Sequence, residues 1–147
     1  MTTLIYAHLP FEKIHYLERP EFHRHEKKFK DRLTKSIKAN GIVDPLYAEV
    51  GNDYGRYIKI IVGNNRMAVA NILKIKTIPV IVNIYDPTFK LEGRELKTDD
   101  EIRELFTHKN VNIRRDSNGN IDTIVKHNYL KNTVLKIKLS KEFLKII

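Results

Sequence analysis

The sequence predicts an α/β (α+β) fold with a mixed sheet, and three observations support this. Apolar residues at helical spacing in residues 22–37 are followed by short β-rich runs, the pattern of helices packed on a sheet. Turn-forming residues separate the segments, most clearly at residues 51–55 and 117–120. The chain has 147 residues, 41% of them hydrophobic, which is enough for one domain with a core and an extension.

The first unit is expected to span residues 1–84. Four of its segments predict β-strands: residues 4–8, 46–50, 56–62 and 78–82. The second and third of these strands are close enough in sequence to form a hairpin. A helix with a basic outer face is expected to end at Asn40-Gly41, because both residues tolerate left-handed dihedral angles. A second helix, capped by Asn64 or Asn65, is expected to run to Leu73.

Residues 85–147 predict an extension with a helix and a β-hairpin, and whether it packs on the first unit is open. A loop is expected up to about residue 97. Thr98 and Glu101 then match a capping box, in which each side chain bonds the backbone of the other at a helix start. Asn118-Gly119 is typical of a hairpin turn. Three runs predict strands: residues 111–113, 121–125 and 135–139.

The charge of the chain points to polyanionic partners. Lysine and arginine number 27 against 18 acids, a net charge of +9. The excess is clustered, since residues 21–40 carry seven basic residues and three acids, and residues 126–147 carry six lysines and one glutamate. DNA or RNA is therefore an expected partner. The candidate nucleic-acid contacts are Arg24, Lys27, Lys28, Lys35, Arg114 and Arg115.

Several classes of protein are excluded or disfavoured by composition. The absence of cysteine excludes disulfides, thiolate metal sites and a cysteine nucleophile. No apolar run approaches the roughly 20 residues that cross a bilayer, and the N-terminus does not resemble a signal peptide. We therefore expect a cytoplasmic protein without a membrane partner. No metal site within the protein is predicted, since His23 and His25 lie two residues apart on a helix and face different sides.

The segment with the most chemical content is Ile61 to Ala70. A strand delivers Gly63, which lets backbone approach a ligand closely, and a helix begins directly afterwards. Arg66 adds a planar fork of donors that suits phosphate oxygens. The pattern predicts a phosphate site. The alternative is a tight strand-to-helix turn whose arginine pairs with a nearby carboxylate, and these residues alone leave both interpretations open.

Five landmarks occur in order along the chain: Ser36-Ile37, Gly41, Pro45-Leu46, Gly63-x-x-Arg66 with Ala68 and Ala70, and Ile78-Pro79-Val80. Together with Leu9-Pro10 and Ile14 they resemble the N-terminal domain of the ParB family. The resemblance covers about residues 9–83 and implies a compact ParB/sulfiredoxin-like fold for the first unit.

The resemblance implies a pocket for a nucleoside triphosphate, with CTP favoured and Mg²⁺ beside it. Gly63 and Arg66 would bind phosphate, and the segment from Gly41 to Pro45 would close over the ligand. The implied site residues are Gly41, Asp44, Pro45, Gly63, Asn64, Asn65 and Arg66. Four acids are candidates for Mg²⁺, and Asp44 is the best placed of them because it lies within Gly-x-x-x-Pro: Asp44, Glu49, Asp53 and Asp86.

The departures from the family pattern bear on catalysis. Asn64 stands where the family has glutamate, and also where sulfiredoxin has its cysteine, and Asn65 stands where the family has its first arginine. Turnover of a bound nucleotide is therefore in doubt, and no catalytic residue is named. The helix-turn-helix domain of partition proteins has no counterpart in residues 85–147. We therefore expect a stand-alone ParB-like domain of the sort found in phages and mobile elements, in the host cytoplasm if viral.

Three functions remain open at this point. The first is a ParB-like nucleotide-binding and nucleic-acid-associated module. The second is an enzyme, either a Mg²⁺-dependent nucleotide hydrolase or kinase, or a ParB-like nuclease. The third is a phage protein that binds a host protein. A homodimer is also left open, as are the identity of the nucleotide and the type of nucleic acid.

Overall fold

The computed structural model of the chain describes residues 2–16, 27–51, 57–107, 111–128 and 133–138. This described part contains a six-stranded mixed sheet with strand order β2-β4-β3-β5-β1-β6. The strands of this sheet are β1 Thr3–Pro10, β2 Ile14–Tyr16, β3 Leu46–Val50, β4 Ile58–Val62, β5 Thr77–Ile84 and β6 Arg94–Leu96. The predicted α/β class with a mixed sheet is thereby confirmed.

The described residues also form helices and a smaller sheet. The helices are α1 Lys27–Asn40, α2 Asn64–Leu73 and α3 Asp99–Arg103. The second, antiparallel sheet consists of β7 Val111–Arg115, β8 Ile121–Asn128 and β9 Thr133–Lys138. Within the ranges that the structure describes, no helix is long and apolar enough to span a membrane.

Strand pairing confirms the predicted hairpin and sets the geometry of one end of the main sheet. β3 runs antiparallel to β4, with Tyr47 opposite Val62, and parallel to β5, with Leu46 opposite Val80. The first residues of β3 therefore lie beside the last residues of β4. The turn after β4 and the loop before β3 consequently meet at the same end of the sheet.

Helix ends follow the sequence prediction in one case and depart from it in another. α1 ends at Asn40, and Gly41 takes the left-handed conformation (φ 72°) with its N–H bonded to the Ile37 carbonyl at 2.7 Å, as predicted. The expected asparagine cap of α2 is wrong, because Gly63 occupies the cap position and Asn64 is already helical. Gly63 has no side chain, so the first turn of α2 receives no side-chain cap.

The segment expected to be a loop from residue 85 to 97 contains β6, which is a second correction. β6 pairs antiparallel with β1, from Leu4 to Tyr6. Gly93, which precedes it, packs so closely on β1 that a Cβ there would lie 2.6 Å from Ile5 Cγ2. Three residues are too short for an alternating pattern to reveal a strand. The main sheet thus continues past residue 84, where we expected the first unit to end.

The main sheet buries both of its faces. One face forms an aliphatic cluster that includes Ala48, Val82 and the α2 residues Met67 and Ala70. The other face carries a second cluster, built from sheet residues and from α3 and the β7–β8 hairpin: Leu4, Tyr47, Ile61, Ile81, Leu96, Ile102, Phe106, Val111 and Ile121. The extension therefore packs on the first unit.

Local signals in the extension are confirmed. The Thr98 side chain accepts from the Glu101 N–H, and Glu101 accepts from the Thr98 N–H in return, which is the predicted capping box. The turn between β7 and β8 is closed by Asp116 N–H to the Asn120 carbonyl at 2.9 Å, with Gly119 at φ 83°. These contacts fix the start of α3 and the turn of the hairpin, and the apolar cluster packs both elements on the sheet.

Because α3 has only five residues, its cap should matter for stability. We predict that Thr98→Ala lowers the free energy of unfolding by about 1 kcal/mol, since one N–H at the helix start loses its acceptor. Urea denaturation followed by circular dichroism measures the change. Thr98→Ser keeps the hydroxyl and should cost much less. An equal loss in the two variants would contradict a capping role.

Candidate functional site

The turn between β4 and α2 is shaped by the packing of Gly63. Its backbone lies so close to Leu46 that a Cβ would stand 2.5 Å from Leu46 Cγ, and its φ is 123°. Both the contact and the dihedral angle require glycine. The start of α2 is therefore placed directly beside Pro45 and Leu46, at the first residue of β3.

The first turn of α2 offers backbone donors at this place. The first bond inside the helix runs from the Met67 N–H to the Gly63 carbonyl at 2.9 Å. The N–H groups of residues 64–66 precede it, so the helix itself supplies them with no acceptor. The positive end of the helix dipole lies at the same point, which favours a bound anion.

Arg66 ties this turn to the segment from Gly41 to Pro45. Its Nη1 donates to the Asp44 carbonyl at 2.6 Å and to the Pro45 carbonyl at 3.3 Å. Its Nε and Nη2 have no hydrogen-bond acceptor among the residues that the structure describes. That edge of a guanidinium is one of those that bind two oxygens of a phosphate at once. The contact differs from the alternative drawn from sequence, since the acceptors are carbonyls and not a carboxylate side chain.

The electrostatic surroundings of Arg66 come from burial and from one acid. Burial lowers the pKa of the Arg66 guanidinium, and the negative charge of Asp44 opposes this change. An arginine nevertheless keeps its proton at physiological pH. The Asp44 carboxylate also accepts from the Thr107 N–H at 2.9 Å, which joins the loop before β3 to the turn after α3.

Asn65 adds a buried polar atom to the start of α2. Its Oδ1 is shielded from solvent and has no hydrogen-bond partner within the described ranges. Such a group is costly unless a ligand or water satisfies it. The amide oxygen and nitrogen of asparagine are assigned from their surroundings, so the opposite orientation would present two donors at the same position.

The other expected site residues are distributed unevenly. Asp44, Pro45, Gly63 and Arg66 lie together, as the implied pocket requires. Gly41 is exposed and lines a cavity of about 570 Å³ together with Leu73 at the far end of α2. The residues that line this cavity with Gly41 come from α1, α2, β1, β5 and the loops beside them: Tyr6, His8, Ile37, Lys38, Ile42, Leu73, Ile75, Thr77 and Pro79.

Two of the acids considered for Mg²⁺ are occupied inside the fold. Glu49 is only 1% exposed and accepts from Tyr47 and Tyr85. Asp86 is buried and accepts from the N–H and the hydroxyl of Thr88. Asp53 lies outside the described residues. Asp44 is thus the acid that the described structure places in the candidate site.

The structure reveals a buried polar quartet that sequence reasoning missed: Tyr47, Glu49, Asn83 and Tyr85. Asn83 Nδ2 donates to the Tyr47 hydroxyl at 2.8 Å and to the Tyr85 hydroxyl at 3.2 Å. Both hydroxyls donate onward to Glu49 Oε1, at 3.0 Å and 3.3 Å. The available signal was the polar i, i+2 pair in each of two otherwise apolar runs, because such pairs share one face of a sheet.

The candidate nucleic-acid residues are in different situations. Lys27, Lys28 and Lys35 are exposed on α1, and Arg114 is exposed on β7. Arg115 already has partners in the chain, with Nη2 2.8 Å from Asp99 Oδ1 and Nη1 2.9 Å from the Gly119 carbonyl. Arg24 lies outside the described residues.

Residues 3–92 match the ParB N-terminal domain family. The chain belongs to this family. The match covers more than half of the sequence and confirms the expected resemblance. The match ends at residue 92, before β6 begins at Arg94, so it covers the other five strands of the described six-stranded sheet.

Solved structures similar to this chain include two ParB proteins and a sulfiredoxin. ParB from Caulobacter crescentus, C-terminally truncated and complexed with CTP-γ-S, is 21% identical over 56% of this chain and 46% of that one, with a TM-score of 0.45. A Pnob8-like ParB-N domain is 19% identical over 58% and 32%, with a TM-score of 0.45. Sulfiredoxin from Arabidopsis thaliana is 19% identical over 53% and 83%, with a TM-score of 0.44.

The chain thus spans less than half the length of the two ParB structures. No match was found among curated proteins.

Arg66 should contribute to stability through its two carbonyl acceptors. We predict that Arg66→Ala lowers the free energy of unfolding by about 1–3 kcal/mol, because the Asp44 and Pro45 carbonyls lose a charged donor. Arg94→Ala is the matched control, since Arg94 is half exposed and lies 3.8–3.9 Å from its acidic partners, a contact worth little. Urea denaturation of both variants checks this, and equal values would contradict the assigned contact.

The quartet predicts a pH dependence of stability in the alkaline range. Burial, with the charge of Glu49, raises the pKa of the Tyr47 hydroxyl well above the ordinary value of 10.0. Above about pH 10 the unfolded state therefore loses a proton that the folded state keeps, and stability falls as the pH rises. The wild type should lose stability faster than Tyr47→Phe by up to about 1.4 kcal/mol per pH unit.

Urea denaturation of wild type and Tyr47→Phe between pH 8 and pH 11 measures this difference. Groups outside the quartet titrate alike in both proteins and cancel in the comparison. Parallel stability curves above pH 10 would show that the Tyr47 hydroxyl ionises as readily in the folded chain as in the unfolded one.

Proposed function

We propose that this chain is a ParB-like nucleotide-binding module, with CTP and Mg²⁺ as the favoured ligand and with nucleic acid as a second partner. The phosphates bind at the start of α2, between the Gly63 turn and the loop that ends at Pro45. Arg66, Asn65 and the backbone N–H groups of residues 64–66 supply the contacts.

One observation supports the proposal more than the others: one nitrogen of the Arg66 guanidinium is bound by the protein, and the opposite edge of the guanidinium is open to a ligand. Its Nη1 holds the carbonyls of Asp44 and Pro45, so the guanidinium is oriented by the protein before any ligand arrives. Its Nε–Nη2 edge has no acceptor in the described part of the chain. A pre-oriented guanidinium loses less conformational entropy on binding phosphate than a free side chain would.

Family membership supports CTP as the first nucleotide to test. The Caulobacter crescentus ParB structure is a complex with CTP-γ-S. Mg²⁺ bound with phosphates keeps several waters and needs only one or two carboxylates. Asp44, which already lies beside Arg66, is the carboxylate that we assign to this role.

The proposal is for binding, and no reaction is assigned. Hydrolysis or phosphoryl transfer needs a group that positions or activates the nucleophile. Asn64 stands where the family has its glutamate, so this chain lacks the carboxylate that the family pattern offers at that position. Nucleic acid is proposed as the second partner because the chain is basic, with a net charge of +9.

Calorimetric titration with CTP, ATP, GTP and UTP, each with Mg²⁺, tests the proposal. We expect one nucleotide, CTP, to bind measurably. Arg66→Ala should weaken binding by at least tenfold, because a charge-assisted bidentate contact to phosphate is lost. Arg66→Lys should recover only part of the affinity, since an ammonium cannot form the planar fork.

Arg94→Ala is the control and should bind as the wild type does. Circular dichroism of each variant at the titration temperature separates lost binding from lost folding. The proposal fails if none of the four nucleotides binds at millimolar concentration. It also fails if a folded Arg66→Ala protein binds as tightly as the wild type.

A further inference from the structure

The outer side of α1 carries an exposed row of cations that the nucleotide site does not use. We define the α1 basic face as Lys27, Lys28, Arg32, Lys35 and Lys38, all of which are exposed. Positions 28, 32 and 35 follow helical spacing (i, i+4, i+7) and therefore project from one side of the helix. Lys27 and Lys38 are eleven residues apart, which returns them to one angular position beside that row.

This face has a high charge density and little internal compensation. α1 has 14 residues and is about 21 Å long. Asp31 is the acid that lies among the five cations. None of the five forms an ion pair with another residue of the described ranges. Their charges are thus available to an external partner.

The apolar side of α1 helps to distinguish between two polyanionic partners, an anionic membrane surface and a nucleic-acid backbone. Leu33 is half-buried and Ile37 is 5% exposed, so the apolar side of the helix is used in the protein core. A helix that binds an anionic membrane surface inserts an apolar face beside its charged one. Among the α1 side chains whose burial the structure describes, the exposed ones are mainly basic, and Leu33 and Ile37 face inward. Such a surface suits a phosphate backbone in water.

We propose that the α1 basic face binds the phosphate backbone of nucleic acid without reading its sequence. Four of the five cations are lysines, which act on phosphate as point charges. Sequence is read by bidentate contacts to base edges, a geometry that arginine provides and lysine provides less well. The inference rests on the nucleic-acid part of the proposed function and is independent of the nucleotide part.

The proposal predicts a salt dependence that can be counted. If all five cations neutralise phosphates, log K should fall against log salt concentration with a slope of about −4 to −5. Removing two of them should reduce the slope by about 2 and lower the affinity at 100 mM salt by about tenfold or more. Two duplexes of unrelated sequence should bind equally.

Fluorescence anisotropy of labelled 24-base-pair DNA duplexes, from 50 to 200 mM salt and without nucleotide, measures these quantities. The test variant is Lys28→Gln/Lys35→Gln. The control is Lys90→Gln/Lys97→Gln, which removes the same charge from two exposed lysines outside α1. Circular dichroism confirms that both variants fold. Single-stranded RNA of the same length distinguishes a ribose backbone from a deoxyribose one, and binding to either supports the shared chemistry.

The outcomes separate the surface from the function. If the α1 variant loses affinity and slope while the control stays within twofold of wild type, the assignment holds. If both variants bind as the wild type does, or lose affinity equally, nucleic-acid binding stands but the α1 basic face is the wrong surface. If the wild type binds neither DNA nor RNA at 50 mM salt, the inference and the nucleic-acid part of the proposed function both fail. The nucleotide titration is unaffected by any of these results.

Discussion

The contact between Gly63 and Leu46 is the constraint on which the candidate site depends. It exists because position 63 has no side chain, and it brings the start of one helix onto the first residue of a central strand. With the Gly63 backbone packed against the Leu46 side chain, Arg66 lies within hydrogen-bond distance of the carbonyls of Asp44 and Pro45. Gly63 therefore serves the packing of the protein itself. Steric reasons alone explain the glycine at position 63, so its presence does not indicate a binding site. Arg66 is the residue that decides between a binding turn and a purely structural one.

The sheet explains how the two halves of the chain become one structure. Its first face is covered by α2, and its second by α3 and the β7–β8 hairpin. Thr107 of the extension also bonds the Asp44 carboxylate, so the loop of the candidate site is held from both halves. A ligand at Arg66 would thus contact a segment that the extension helps to position. This is a physical reason to treat the described part of the extension around Thr107 as part of the site's support.

The parts of the structure that the sequence predicted are those governed by neighbours in the chain. The Thr98–Glu101 capping box, the Asn118-Gly119 turn and the Gly41 helix stop each depend on a few consecutive residues. The errors involve distant partners. β6 pairs with the edge of β1, and the cap of α2 falls on Gly63, which packs against Leu46 from a distant part of the chain.

The candidate site was predictable to the same extent and for the same reasons. The hairpin and the family resemblance placed Pro45 near Arg66. Which atoms Arg66 would bind was not predictable, because its acceptors are backbone carbonyls and no side-chain pattern discloses them. Gly41 was assigned to that pocket by its place in Gly-x-x-x-Pro, and the structure shows it lining a cavity with residues of α1 and the end of α2, a contact between distant segments that no local pattern discloses.

The buried polar quartet has a consequence for how the chain folds. Glu49 pairs with Asn83 across the parallel strands β3 and β5. Side chains alternate between the faces of a strand, so a shift of β3 by one residue would turn Glu49 toward the aliphatic cluster on the other face of the sheet, which contains Val82 of β5 and Met67 and Ala70 of α2. A carboxylate in such surroundings costs several kcal/mol. The quartet therefore favours the native alignment of β3 and β5, because its hydrogen bonds form only when the two strands are in register.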